Sequence, residues 1–591
     1  MINDLSEFKK SIKMPNEQGK QLNYLIVIPF FVEDFTMQYL FPYGICMVSS
    51  ALKASGRTVF TLNLNYKRDY SAVLKKFVTD NQIDVVMTGA LSSGYLSVKA
   101  ILDTVKGVER ERDGSPLPEI ITIVGGGLIT ADPIVAMNAL VNADYGVIGE
   151  GEIAINELCY ALENDLSTDK IKGVIRRGDT TFEPAQIIEN LDILPPADYD
   201  SFEYDVMLSK KYNPSYADFP KNARVANIYA SRSCPFNCTF CVRLCGEKYR
   251  KRSIDKVFED IDYQVEKYKI NFILFEDELF ISNKKDAIEF CARLKPYNIK
   301  WWGQSRVNVV TEDMLQLMKD SGCILLTFGV ESGDESILVS MQKKITVKQI
   351  EQAFMAAKKV GMPATGNIIF GDLNETPETI QNSLDFWWSH PEFRNDIYLR
   401  YIIVFPGSFL YKEACRKGII ADPVQYLKDG CPPVNLTKMS DEEWARQKEK
   451  IELYCYANDL GLEKPALDLA VCRNNVQKLT DNSKAVAYWP VVNQNANVIM
   501  KTLPDGDNRD IYFLNADTTG RSHLISGIDE VIAPKKLVNP DVIVEKGIDT
   551  IVVPYRFSMF KKIQDICKEQ YPCVERVIHI GELFDEQFLV L

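Results

Sequence analysis

The apolar residues of this chain follow two alternating rhythms. Short β-rich runs at Leu25–Pro29, Thr58–Leu62, Asp84–Thr88, Ile120–Val124 and Tyr145–Ile148 are separated by stretches with apolar positions at helical spacing. Those stretches are Tyr43–Ser55, stopped by Gly56, then Tyr95–Lys106, Pro133–Val141 and Glu152–Glu163. Strand and helix taking turns predict an α/β fold for residues 1–165, a doubly wound parallel Rossmann-like sheet with its ligands at the carboxyl ends of the strands. Small residues gather at those ends, in Thr88-Gly89-Ala90-Leu91-Ser92-Ser93-Gly94, Gly125-Gly126-Gly127 and Gly149-Glu150-Gly151-Glu152. Glycines there let the backbone approach a flat or phosphorylated ligand. No G-x-G-x-x-G opens the first helix, so a dinucleotide is not the favoured ligand.

A linker over 166–221 leads to a second alternation over 222–425. Its strands are expected at Val225–Ala230, Phe272–Phe275, Lys300–Gly303, Ile324–Gly329, Ala364–Phe370 and Tyr398–Val404, which predicts a partial (β/α)6 barrel. Ser253 caps a helix with the stripe Ile254, Val257, Phe258, Ile261, Val265 and Tyr268; Thr346 and Gln349 form a capping box on a helix closed by Gly361. Residues 426–480 read as helical, with a second capping box at Ser440-Asp441-Glu442-Glu443. Residues 481–591 read as a small Rossmann-like domain, with strands at Ile511–Leu514, Thr550–Pro554 and Arg576–Ile580 and a helix at Phe557–Glu569. The run Ala487-Tyr488-Trp489-Pro490-Val491-Val492-Asn493 holds no glycine, so a protein or domain contact is expected there rather than a phosphate cradle. His523 and His579 sit in no metal spacing and read as structural.

At 591 residues the chain needs several cores, and its 46% hydrophobic and 25% charged content is that of globular domains. A net charge of −13 argues against a nucleic-acid partner. No apolar run reaches membrane-span length, and the N-terminus lacks a signal-peptide core. A cytoplasmic protein is expected, in which 14 cysteines stay reduced and open to metal.

Three of those thiols carry the chemistry. Ser-Arg-Ser-Cys-Pro-Phe-Asn-Cys-Thr-Phe-Cys places Cys234, Cys238 and Cys241 at C-x3-C-x2-C, with Phe240 before the last. Soft thiolates this close suit an iron–sulfur cluster. A 4Fe–4S cube held by three of them leaves one iron open to a small molecule. From the loop alone, a zinc site with Cys245 as fourth ligand and a set of unrelated core thiols both stay open. Cys245, Cys291 and Cys323 otherwise read as small core or rim residues.

The cysteine loop resembles that of the radical S-adenosylmethionine (SAM) enzymes. The strand-end segments behind it resemble that family's motifs in the same order: Glu276-Asp277, Gln304-Ser305-Arg306, Gly329-Val330-Glu331-Ser332-Gly333, Gly366–Gly371 and Pro406-Gly407-Ser408. The resemblance implies that Cys234, Cys238 and Cys241 ligate the cluster and that Phe240 lies near the adenine. It implies SAM contacts at Glu276, Asp277, Ser305, Arg306, Glu331 and Ser332: a carboxylate for the ammonium, Arg306 for the carboxylate, Glu331 for the ribose. Gly371-Asp372-Leu373-Asn374-Glu375-Thr376 departs from the usual Gly-x-Pro-Gly-Glu-Thr, which puts the shape of that loop in question.

The first 200 residues or so resemble the cobalamin-binding domain of one radical SAM subgroup, in Pro42–Ile45, Val124–Gly127 with Ala131-Asp132-Pro133, Ala143–Glu152 and Leu191–Pro196. That implies cobalamin contacts at Ser92, Ser93, Gly125, Gly126, Gly127, Gly149 and Glu150. A Rossmann-like domain without cofactor is the alternative. The first histidine in the chain is His390, so no Asp-x-His-x-x-Gly cobalt-ligating motif precedes it. The resemblance implies a cobalamin-dependent C-methyltransferase acting on an unactivated carbon through a 5′-deoxyadenosyl radical and methylcobalamin. It implies a small-molecule substrate and an electron donor such as flavodoxin or ferredoxin. A non-methylating ring closure or rearrangement, and a non-catalytic cobalamin or iron–sulfur sensor, are the rival readings. The residues name no substrate and no catalytic side chain.

Overall fold

The computed structural model describes residues 5–585 except 33, 113–114, 213–218, 221, 464, 466–467, 492–498, 504–510, 516–536, 539 and 556. His523, Val492 and Asn493 lie outside the described residues. The chain divides into two compact units, one of residues 1–379 with 396–438, the other of residues 380–395 with 439–591.

The first unit opens with a six-stranded sheet: β1 (Tyr24–Ile28), β2 (Val59–Asn63), β3 (Val85–Gly89), β4 (Ile121–Gly125), β5 (Tyr145–Val147) and β6 (Val174–Arg176), in the order β2-β1-β3-β4-β5-β6. β1 and β3 are buried along their whole length because helices cover both faces of the sheet. Chain order reverses between β1 and β3, where an open α/β sheet presents a crevice to ligands. The sheet is not wholly parallel. β6, inside the stretch read as a linker, pairs antiparallel with β5 and buries Val174 and Ile175 at the edge.

The same unit holds six parallel strands in sequential order: β7 (Val225–Ile228), β8 (Phe272–Phe275), β9 (Lys300–Ser305), β10 (Cys323–Glu331), β11 (Ala364–Phe370) and β12 (Ile397–Tyr401). β7 and β12 form its two edges, so the barrel is open. β9 and β10 run farther than their apolar runs suggested, to Ser305 and Glu331. β12 stops at Tyr401, short of the expected Val404. Ser253 caps the first barrel helix, and the Thr346–Gln349 capping box and the Gly361 stop are both present.

The second unit carries a five-stranded parallel sheet of β13 (Val486–Val491), β14 (Ile511–Asn515), β15 (Leu537–Val538), β16 (Thr550–Val553) and β17 (Arg576–His579), in the order β15-β14-β13-β16-β17. Helices Asp441–Leu460 and Leu469–Asp481 precede it. Ser440 accepts the Glu443 N–H, but the capping box is only half made. The Glu443 carboxylate instead accepts from Arg446 and Gln447, which lie one turn on along the same face. His579 is a cap: its Nδ1 accepts the Gly581 N–H.

Candidate functional site

The carboxyl ends of β1, β3, β4 and β5 line a cavity of 810 Å3 whose far wall is built by the barrel. On the sheet side lie Gly89, Ser93, Gly125, Gly126, Gly127, Gly149 and Glu150; on the barrel side lie Tyr229, Arg232, Cys245, Glu276, Asp277 and Glu278. Gly126 has φ +79, and a Cβ there would stand 2.8 Å from the Ala90 carbonyl oxygen. That position tolerates only glycine, so the backbone itself forms the floor. Gly127 is where Leu91 and Leu244 press in, at 2.8 and 3.0 Å from a built Cβ. Leu244 follows the cysteine loop, so this glycine seats that segment on the sheet. Ser92 is buried and does not line the cavity. All the lining residues precede His390, so among the described residues no histidine faces this space.

Glu150 lines the cavity, yet its carboxylate is occupied. It accepts from Arg232 at 2.7 Å, from Arg250 at 2.7 and 2.9 Å, and from the Ile188 N–H at 2.7 Å. Arg232 also pairs with Glu152. Arg232 and Arg250 face each other in the two-stranded ribbon that closes the cysteine loop. Three buried charges, Glu150, Glu152 and Arg250, and the half-buried Arg232 therefore tie the neck of that loop to the first sheet.

The loop leaves β7 through Ala230 and Ser231, which donate to Asp277 from their N–H and Oγ–H at 3.0 and 2.5 Å. Burial pushes the Asp277 carboxyl up to about 6 despite these bonds. Asp277 thus braces the loop, whereas Glu276 takes one bond, from Asn227 at 3.3 Å, and turns to the cavity. Cys234 and Cys238 are half-buried and Cys241 is exposed. Although Cys241 is exposed as a residue, desolvation at its sulfur, then Glu278 and the two neighbouring thiols, push it up to about 11, so its thiolate needs a cationic partner. Among the described residues no three cysteine, histidine or acidic side chains converge as a finished metal site. Cys245 lines the cavity. Cys291 and Cys323 are buried.

Around the loop, Arg306 lies 3.6 Å over the Phe236 ring and donates to the carbonyl of Lys343. Lys343 pairs with Glu331 at 2.6 Å and stands 6.0 Å over the Phe240 ring. Gly329 makes room, since a Cβ there would sit 2.3 Å from the Lys343 ammonium. Ser305, at the end of β9, is buried with its hydroxyl turned to the Ile281 carbonyl, and Ser332, just past β10, is buried as well. Lys343 was not anticipated from the sequence; the Lys343-Lys344 pair that follows β10 by a short helix gave no sign of which lysine turns inward. Farther round, Glu375 accepts the N–H groups of Gly371 and Asp372, which holds the departing loop in shape. Burial pushes that carboxyl up to about 7.

The donor set fits the expected cofactors. Three soft thiols stand beside two cations and an open carboxylate, and a backbone-floored cavity adjoins them. The chain matches the Radical SAM superfamily over residues 228–386 and the B12 binding domain over residues 37–159. An uncharacterized methyltransferase of Pyrococcus horikoshii is 30% identical over 380 residues, covering 61% of this chain and 77% of that protein. The chain belongs to the cobalamin-binding radical SAM family. It is a radical SAM enzyme, and its cofactors are a 4Fe–4S cluster, SAM and cobalamin. An anaerobic magnesium-protoporphyrin IX monomethyl ester cyclase of Rubrivivax gelatinosus is 26% identical over 358 residues, covering 58% of this chain and 61% of the cyclase. Two solved structures share the fold. The cobalamin-dependent SAM radical enzyme OxsB, with aqua-cobalamin and SAM bound, gives a TM-score of 0.59 at 14% identity, covering 77% of this chain and 68% of that one. The radical SAM methyltransferase TsrM of Kitasatospora setae, with cobalamin and a [4Fe–4S] cluster bound, gives 0.53 at 17% identity, covering 67% and 75%. No helix among the described residues is long and apolar enough to cross a membrane.

Proposed function

We propose that this member of the family is a C-methyltransferase acting on an unactivated carbon of a small molecule. The observation that carries the reading is the single space in which the glycine-floored cavity and the cysteine-loop wall meet, bounded by Gly126 on one side and Glu276 on the other. When bound, the cofactors supply a carbon-centred radical and a transferable methyl group. The chain's own residues hold and screen them. Cys234, Cys238 and Cys241 are the cluster ligands in this reading, Glu276 receives the SAM ammonium, and Arg306 receives its carboxylate. Lys343 holds Glu331 in place for the ribose. Phe236 and Phe240 keep water from the loop. Gly125, Gly126, Gly127 and Gly149 bring the backbone against the corrin face, while Glu150 acts one step back by fixing Arg232 and Arg250. A low-potential donor such as flavodoxin or ferredoxin, in a reducing cytoplasm, suits a chain whose 14 cysteines are all free.

The test is to incubate the reduced holoenzyme with extract from its host and SAM labelled as CD3 on sulfur. New ions carrying CD3 support methyl transfer. Full conversion of SAM to 5′-deoxyadenosine with no CD3-bearing product rejects it and favours the ring-closing chemistry that the cyclase relative brings into question.

A further inference from the structure

The barrel lumen carries polar chemistry that the cofactor loops do not use. Its outer face is fixed by Phe328, edge-on to Phe354 of the helix Val347–Val360, and by Gly366, whose built Cβ stands 3.4 Å from the same ring. Ser305 and Ile397 are register partners of these two and share the outer face. Side chains alternate along a strand, so Gln304, Thr327, Asn367, Tyr398 and Arg400 face the lumen. The floor is apolar: Val225, Phe272 and Leu274 pack with Trp302, Ile324 and Phe219. Trp302 Nε1–H donates to Thr327 Oγ1 at 2.9 Å, which closes the floor.

Above it, the side chains of Gln304, Asn367, Tyr398 and Arg400 hold no hydrogen bond to any described residue. Arg400 has no acidic partner among the described residues; its guanidinium stands 5.3 Å from the Tyr398 ring centroid. Among the described residues it is the one strand-borne cation above the floor. The other cations near the lumen belong to the cofactor loops, Lys343 paired with Glu331 and Arg306 bonded to the Lys343 carbonyl and assigned above to the SAM carboxylate. A guanidinium on a rigid strand presents a fixed fork of donors suited to two oxygens of one anion. In a chain of net charge −13, an anion gains from a dedicated local cation.

We infer that the substrate carries an anionic group, a carboxylate or a phosphate, that Arg400 receives in the lumen, with Tyr398, Asn367 and Gln304 as neutral hydrogen-bonding partners. This rests on the enzymatic reading above and adds the substrate class. The experiment labels the full-length holoenzyme with phenylglyoxal and follows the Arg400 peptide by mass spectrometry. Benzoate and inorganic phosphate are the probes, and benzamide is the uncharged control. The expected result is labelling of Arg400 that slows about tenfold with one of the anions at about ten times its Kd and is unaffected by benzamide. Which anion protects tells carboxylate from phosphate. An Arg400 that resists labelling, that neither anion protects, or that benzamide protects equally overturns the inference. Protection by an anion without any CD3-bearing product would reject methyl transfer alone.

Discussion

Two sheets of this molecule share an architecture and differ at their strand ends. The first sheet ends its central strands in Gly89, Gly125 and Gly126 and opens a cavity of 810 Å3 there. The sheet of the second unit ends its central strand in Trp489, Pro490 and Val491, with Tyr488 and Trp489 fully buried, and β16 runs into Pro554 and Tyr555. The lesson is that a doubly wound sheet supplies only a place for a ligand; small residues at the carboxyl ends supply the room. The barrel follows the same logic, with charged and polar groups at its strand ends where the C-terminal sheet has rings.

Substitutions separate these regions by size of effect. The largest is expected at the cysteine loop. Cys238→Ala should lower iron from about four per chain to less than about one and abolish SAM cleavage, while cobalamin uptake by the first sheet persists; iron analysis and chromatography of 5′-deoxyadenosine report both. Next, Gly126→Val forces a Cβ to within 2.8 Å of the Ala90 carbonyl oxygen and should weaken cobalamin binding at least about tenfold, about 1.4 kcal/mol. Trp489→Phe, at the corresponding place in the other sheet, should leave cobalamin binding unchanged, and equilibrium binding measured side by side checks the pair. Lys343→Met strands Glu331 in a site where both side chains are nearly buried and should cost about 3 kcal/mol of stability. Adding Glu331→Gln should restore most of it, as denaturant midpoints would show.

The remaining effect is a pH dependence. The Glu375 carboxyl is raised to about 7 in the folded chain from its ordinary 4.5, so the folded state holds its proton more tightly than the unfolded one. Its stabilising contribution is therefore full below about 4.5 and is lost as pH rises through about 7. Glu375→Gln keeps an acceptor for the Gly371 N–H and removes the titration. Stability curves at pH 5 and pH 8 should differ less for the variant than for the parent, by roughly 2 kcal/mol.

Much of this was legible in the residues. The period of the apolar runs marked both sheets in the first unit, apart from the antiparallel edge strand β6, because buried strands and amphipathic helices leave different spacings. The glycine clusters marked the cavity, and C-x3-C-x2-C marked the loop. What escaped depends on pairings across space. Glu150 stands among the glycines, but its partners Arg232 and Arg250 lie on a ribbon that no local pattern announces. Lys343 earns its place through Gly329, Glu331 and Arg306, which come from two different strand ends. β6 hides in a polar stretch because an edge strand buries only Val174 and Ile175.

The central claim is that one chain brings an open-iron cluster and a cobalamin to the same cavity. The most direct measurement is the cofactor content of the anaerobically reconstituted chain, followed by reduction in the presence of SAM. The account predicts about four irons and about one cobalamin per chain, with 5′-deoxyadenosine formed on reduction. A reconstituted chain that takes up no cobalamin, or that holds its cluster yet leaves SAM intact, would contradict it.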